Sequence, residues 1–393
     1  MTRHKIIIVT LLALIAIATT ALFWPVRQPT TNNQKPTTHY STLMGKEFFD
    51  RAYEQMPVSN NQQPETNNRI AGGTINHHLL AAPLDAQFFQ GLAEQKPKRV
   101  ILIGPDHLSR GRQPITVSAG TWATPYGELA TDIKLVADLA RRNLANIEES
   151  PFDYEFSVGG LVPFIKRSLS DAKVATIIVR IDAKDADLDA LAAALPTDKD
   201  TVVVASIDFS HYLPSRAAEF HDITNRAIIN AFAYSKFDNL EIDSPPTLRV
   251  LLKYLERRGT QKATLLASTD SAKITNQLDT PETTSYLNQY FSAGGPASMN
   301  IKTSLYVPAG KKIVSAEDRF NRGFMTADDG SSLPKDIKHP DLAVGIVKSA
   351  MATTYYLFPF THDKTGYRLM TAEEERAYFR RNNIDSAIIN ELN

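Results

Sequence analysis

Three short apolar runs recur through the middle of the chain: residues 99–103 (RVILI), 173–181 (KVATIIVRI) and 201–206 (TVVVAS). Each is rich in β-branched residues and is bounded by turn residues or polar positions, the pattern of a strand buried on both faces. Helical stretches at 81–94, 132–142 and 186–195 lie between or beside them. Continuous apolar strands alternating with helices predict an α/β fold with a mainly parallel central sheet flanked by helices. In such sheets ligands sit beyond the carboxyl ends of the strands. The chemistry of this chain should therefore be sought just after each run.

Polar clusters do follow there. His77 and His78 come after Gly72-Gly73-Thr74-Ile75-Asn76. His107 closes Gly104-Pro105-Asp106-His107, directly after the first run. Asp208 and His211 lie in Ser206-Ile207-Asp208-Phe209-Ser210-His211-Tyr212, directly after the third. Four of the nine histidines thus fall at strand ends, accompanied by a carboxylate. Neutral imidazole is the commonest metal ligand, and a carboxylate completes the coordination of a borderline or hard divalent ion. Taken singly, each histidine would more simply pack in its own loop. Their equivalent positions make a shared pocket the stronger reading. The chain has no cysteine, which excludes disulfides, a thiol nucleophile, thiolate-bound zinc and cysteine-held iron–sulfur clusters. Any metal must be held by His, Asp, Glu or backbone oxygen.

The ends of the chain read differently. Residues 6–24 carry no charge and follow Arg3 and Lys5. As a helix they would span about 28 Å, close to the hydrocarbon thickness of a bilayer. They predict a signal-anchor within 1–26, with the main domain outside the cytoplasm and the protein attached to the membrane by this helix. Cleavage as a signal peptide, giving a secreted or periplasmic protein, is the alternative. Residues 27–69 read as a polar linker, with a short helix-like piece at 43–53. After 292 the pattern weakens into a small C-terminal extension, 293–393. There, 299–307 predicts a strand, 342–360 a packed helix and strand, and 372–383 a charged helix. Asp328, Asp329 and Asp341 lack the spacing of a calcium loop and read as solvated turns. Lysine plus arginine balance aspartate plus glutamate at 43 each, so no positive surplus exists to bind nucleic acid.

Gly104-Pro105-Asp106-His107, then Trp122-Ala123-Thr124-Pro125-Tyr126-Gly127 with Asp132, then the Asp208-Phe209-Ser210-His211 segment resemble the Memo family, whose bacterial and archaeal members are called AmmeMemoRadiSam system protein B. The resemblance covers 70–292. It implies a fold similar to that of the class III extradiol dioxygenases, which hold non-haem iron with two histidines and a carboxylate. By that resemblance His77 and His107 match the two family histidines that face the metal, with His78 a rival to His77 by one register step. Asp208 and His211 match the pair lining the same pocket, where a histidine can act as acid or base. The third metal-facing position is a cysteine in the family. The matching segment here is Glu241-Ile242-Asp243-Ser244-Pro245-Pro246, which places Asp243 there and restores two histidines and one carboxylate. Asp243 or Ser244 equally suits the cap of a helix opening at Pro245.

One departure cuts against inherited activity. The family pattern Glu-His-Ser-hydrophobic-Glu appears as Glu155-Phe156-Ser157-Val158-Gly159, so Phe156 stands in place of the histidine. Trp122 and Tyr126 read as ordinary packing of a loop over the pocket mouth. Two functions follow from the resemblance. One is a metal-dependent oxidoreductase of dioxygenase-like type. Its catalytic residues are His211 and Asp208, and it holds a divalent metal, iron first and copper or zinc as alternatives, on His77, His107 and Asp243. The other is a binding or scaffold protein that keeps the fold without turnover. In either case the ligand is an unidentified small molecule or peptide.

Overall fold

Strands Arg99–Pro105 and Thr201–Ser206 run side by side in parallel, and their side chains alternate between two cores. Val100, Leu102, Val202 and Val204 pack with Phe88, Phe89 and Phe164 on one face. Ile101, Ile103, Val203 and Ala205 pack with Leu191, Leu251 and Leu255 on the other. Alternation with period two on a sheet covered on both faces explains why these runs are apolar between their ends. Each fully buried valine or isoleucine contributes about 1.5–3 kcal/mol relative to exposure. That gain commits these two strands to the centre of the sheet.

The computed structural model describes residues 37–41, 44–57, 69–315 and 318–384. Its nine-stranded sheet has the order His211–Leu213, Thr283–Ser292, Ile70–Ile75, Thr201–Ser206, Arg99–Pro105, Lys173–Val179, Ile115–Val117, Asn146–Ile147, with Lys262–Asp270 also paired to Thr283–Ser292. Only the middle four strands form a continuous parallel block. Thr283–Ser292 pairs antiparallel with three neighbours, and Ile115–Val117 is antiparallel to Lys173–Val179. The expectation of a mainly parallel sheet is therefore corrected: the architecture is mixed α/β. Helical crossovers return the chain to the same end and make parallel neighbours, whereas the short link through Ser271–Thr275 reverses it.

Close strand approach requires small residues where the site begins. A Cβ at Gly72 would lie 2.4 Å from the Val203 carbonyl oxygen, and one at Gly73 would lie 2.4 Å from that of Gln289. Within the segment read as linker, Thr38–Tyr40 forms a strand parallel to Thr121–Thr124, and Lys46–Glu54 forms a helix that buries Phe49 and Tyr53.

The C-terminal region builds a second, five-stranded sheet from Ile301–Tyr306, Thr326–Asp328, Leu342–Ser349, Thr353–Asp363 and Gly366–Leu369. Helix Ala372–Arg381 follows, opened by a Thr371–Glu374 capping box. The helix and strand expected at 342–360 are instead two antiparallel strands joined at the exposed Met351. Short apolar runs do not distinguish strand from helix by periodicity, and the β-branched and aromatic residues here favour the strand.

The expectation of a single-pass membrane protein is also corrected. Among the described residues no helix is long and apolar enough to cross a membrane. The longest of them, Ser215–Asn230, has 16 residues and several charges, short of the roughly 20 apolar residues a span needs. Residues 6–24, on which the anchor and the cleavage alternative both rested, lie outside the described residues.

Candidate metal centre

Three adjacent parallel strands deliver the polar clusters to one end of the sheet. Ile70–Ile75 leads into His77, Thr201–Ser206 into Asp208, and Arg99–Pro105 into His107. Asp243 arrives from a different direction, on the loop before helix Pro245–Arg258. Among the described residues, His77, His107 and Asp243 form one cluster whose candidate ligand atoms all lie within 4.8 Å of one another. His77 Nε2 is 3.2 Å and His107 Nε2 is 3.8 Å from Asp243 Oδ2. The two imidazole rings meet edge to face with centroids 5.1 Å apart.

Hydrogen bonds on the far side of each ring set its orientation. Ser206 Oγ donates its proton to the Ser157 carbonyl oxygen at 2.6 Å, so toward His77 Nδ1, 2.9 Å away, it can only accept. His77 must then carry a proton on Nδ1. His107 Nδ1 lies 2.8 Å from Glu155 Oε1, and this buried carboxylate imposes the same assignment. Both rings thus turn Nε2 toward Asp243. The segment after Glu155 packs closely on the strand that ends before His107: a Cβ at Gly104 would lie 2.4 Å from Ser157 Oγ. Outward Nδ1–H bonds to oxygen that leave Nε2 facing inward are the usual support of metal-bound histidine.

The electrostatics agree with this geometry. Burial works against a charge on His77, but Asp208 and Asp243 outweigh it and raise its pKa. Burial likewise opposes the charge on His107, yet Asp243 and Glu155 push that group up to about 10. Burial would raise the pKa of Asp243, but the bonds from His107 and His77 hold it well below the usual carboxylate range. Its Oδ1 is buried without a partner among the described residues. Two imidazoles, one ionised carboxylate and an unsatisfied carboxylate oxygen fit a divalent ion of the borderline class.

Of each pair of neighbouring candidates, the fold brings one to the cluster. His78 points away, with Nδ1 2.7 Å from the Tyr286 hydroxyl, and His77 is the residue in the cluster. Ser244 caps the following helix, its Oγ accepting from the Thr247 N–H at 3.3 Å, which leaves the Asp243 carboxylate to the cluster. Asp208 stands beside the triad. Its Oδ1 accepts from the His77 backbone N–H at 3.0 Å, and its Oδ2 lies 3.5 Å from His77 Nε2. Asp208 and Asp243 also exchange bonds, Asp243 N to Asp208 O at 3.1 Å and Asp208 N to Asp243 Oδ2 at 3.2 Å. His211 is outside the three-residue cluster. Burial lowers its pKa against the opposing pull of Asp243 and Asp208, and its Nδ1 has no partner among the described residues.

Phe156 stacks on His107 with centroids 4.4 Å apart and meets His77 edge-on at 5.4 Å. The family histidine is thus replaced by an apolar wall against both imidazoles. Trp122 is buried beside His39 and Phe152, and Tyr126 donates to Asp50 at 2.7 Å, so both serve packing. Sequence reasoning did not assign roles to Ser206 and Glu155. Their signal was adjacency to a strand end and to the Glu-Phe-Ser motif. A second charged cluster was also missed. His39, on the N-terminal strand, sits between Glu149 (2.8 Å) and Asp153 (3.1 Å).

Comparisons with known proteins agree with the motifs. A family model described as "Memo-like protein" matches residues 56–289. A MEMO1 family protein of Pyrobaculum arsenaticum is 29% identical over 202 residues, which span 49% of this chain and 68% of that protein. MEMO1 family protein TK1477 of Thermococcus kodakarensis is 25% identical over 244 residues, 54% of this chain and 84% of its own. A solved structure, uncharacterized protein JW3007 from Escherichia coli K12, aligns with 56% of this chain and 99% of its own at 13% identity and a TM-score of 0.36, a level on which no argument rests.

Proposed function

This chain belongs to the Memo-like protein family over residues 56–289, and from that premise we propose that His77, His107 and Asp243 hold a divalent metal, iron before copper or zinc, in a pocket for a small-molecule or peptide ligand. The carrying observation is that both histidines commit Nδ1–H outward, to Ser206 and Glu155, and present Nε2 to one ionised carboxylate. Two histidines and a carboxylate are the donor set of non-haem Fe(II) sites with open positions. Such an ion supplies Lewis acidity and a one-electron couple for dioxygenase-like or related redox chemistry. The chain's own residues prepare the pocket. Asp208 fixes the His77 backbone, and His211, whose pKa burial lowers, is the neutral imidazole that accepts a proton from a ligand hydroxyl. Phe156 covers one face of the His107 ring.

Phe156 also favours a second reading, a binding protein that keeps the pocket without turnover, because it removes a titratable group that the family pattern places there. Metal content of the purified protein by mass spectrometry, repeated on His107→Ala, tests the first reading. Stoichiometric metal that is lost in the variant supports it, and a folded parent free of metal overturns it. Metal without oxygen uptake on catechol-like substrates leaves the binding reading in place.

A further inference from the structure

The C-terminal region lies outside the family match, yet it reaches the loop that carries Asp243. Arg319, in the short helix Arg319–Arg322, places Nη1 2.7 Å from Glu241 Oε1, and Glu241 is fully buried two residues before Asp243. The Glu241 backbone is clamped in turn by Asn225, its N–H donating to Asn225 Oδ1 at 2.9 Å and its carbonyl accepting from Asn225 Nδ2 at 3.0 Å. The same guanidinium lies 5.4 Å from the centroid of the Tyr212 ring. One arginine therefore touches both loops that border the cluster, 208–212 and 241–243.

Its seat is firm. Phe320 is fully buried against Phe220, Phe324 and Phe358 in a separate core that includes residues of the five-stranded sheet, and its carbonyl oxygen lies 2.9 Å from His221 Nε2. Three residues on, Gly323 packs so closely that a Cβ would collide with the His221 ring. Asn239 adds a tie to the loop before Glu241, donating to the Phe324 carbonyl at 2.9 Å.

A fully buried carboxylate is tolerated only when paired. Without Arg319, Glu241 would have to move toward water, and Asp243, two residues along the same loop, would move with it. We infer that Arg319 is a positioning residue through which the C-terminal region holds Asp243 against His77 and His107, so that the metal centre of this protein is completed by a segment outside the Memo-like match. This inference rests on the metal reading above. Loss of a direct outer partner of a metal ligand weakens metal binding by about 10–100-fold, and Arg319, one link further out, should cost about tenfold, the lower end of that range.

The test uses the full chain, stripped with chelator and titrated with Co(II) alone, in four forms: parent, Arg319→Met, Arg319→Lys and the double variant Arg319→Met/Glu241→Gln. Arg319→Met should bind Co(II) about tenfold more weakly and shift its visible absorption bands, which report ligand geometry. Arg319→Lys should recover part of both. The double variant, which loses the tether without stranding a charge, should fall between the parent and Arg319→Met. Melting curves of the metal-free proteins identify any variant that fails to fold. If Arg319→Met is that variant, the double variant decides. A folded Arg319→Met or double variant with the affinity and spectrum of the parent overturns the inference. A parent that binds no Co(II) overturns the metal reading and this inference together, so the two failures are distinct.

Discussion

Replacing Glu155 by glutamine probes the support of the centre without altering a proposed ligand. The Glu155 carboxylate accepts three N–H bonds: from His107 Nδ1 at 2.8 Å, from the His107 backbone at 2.9 Å and from the Ser157 backbone at 3.0 Å. A glutamine has one acceptor oxygen. If that oxygen keeps His107 Nδ1 and Ser157, the new amide points at the His107 backbone N–H, donor against donor. At least one buried N–H is then unsatisfied, which costs about 1–3 kcal/mol. The loss of charge also weakens the bond to Nδ1, since charge-assisted hydrogen bonds are roughly twice as strong as neutral ones. For the metal, the expected loss is about 10–100-fold, or roughly 1.4–2.7 kcal/mol at 1.36 kcal/mol per decade. One effect opposes it. Glu155 helps hold a proton on His107, whose pKa stands at about 10, and that proton competes with the metal. Removing Glu155 relieves this competition near neutrality. The affinity deficit should therefore be smaller at pH 6.5 and widen as the pH rises. Chelator competition at several pH values measures the deficit, and urea unfolding of the metal-free protein measures the stability cost. A variant with the parent's metal affinity across that range, and with unchanged stability, would refute the support assigned to Glu155.

Ser244 and Asp243 should separate cap from ligand. Ser244→Ala is expected to lower stability by about 0.5–2 kcal/mol while metal affinity changes no more than a few-fold. Asp243→Asn is expected to abolish tight metal binding with the cap intact, and the reverse pattern in urea melts and metal titrations would reverse the assignment. His39 should make docking of the N-terminal strand depend on pH. Burial opposes its charge, but Glu149 and Asp153 outweigh burial and raise its pKa. A raised folded pKa contributes stability that is complete below the unfolded value near 6.5 and is lost as pH rises through the folded one. Intrinsic-rate-corrected hydrogen exchange at residues 38–40 should therefore show protection falling with rising pH, and His39→Gln should abolish the trend; a pH-independent parent would contradict it.

Much of the centre was legible in the chain because strand ends are marked locally. His77, His107 and Asp208 each follow a β-branched run or its glycine-rich equivalent, and the three strands are parallel neighbours whose carboxyl ends coincide. Asp243 was legible only as one of two adjacent candidates. Which of Asp243 and Ser244 caps the helix depends on where each side chain points, and that is set by packing. Glu155, Ser206 and Arg319 escaped because their roles are hydrogen bonds across 48, 129 and 78 positions of sequence. Strand direction escaped for a related reason. An apolar run buried on both faces reads the same whether its neighbour is parallel or antiparallel, so the antiparallel flanks of the sheet and the hairpin at Leu342–Ser349 and Thr353–Asp363 left no local mark.

Composition and spacing alone determined that the chain folds around buried strands with helices between them, that no thiolate is available, and that four histidines lie at strand ends. Those properties are carried by single residues and their near neighbours, through side-chain chemistry and periodicity. Only the tertiary structure decided that the sheet is mixed, that His77 rather than His78 and Asp243 rather than Ser244 meet His107, and that Arg319 from the C-terminal region braces that carboxylate through Glu241. These are matters of which distant groups must share a buried volume. There an unpaired charge or an unsatisfied N–H is too costly to leave, and the pairing that removes the cost sets the geometry of the site.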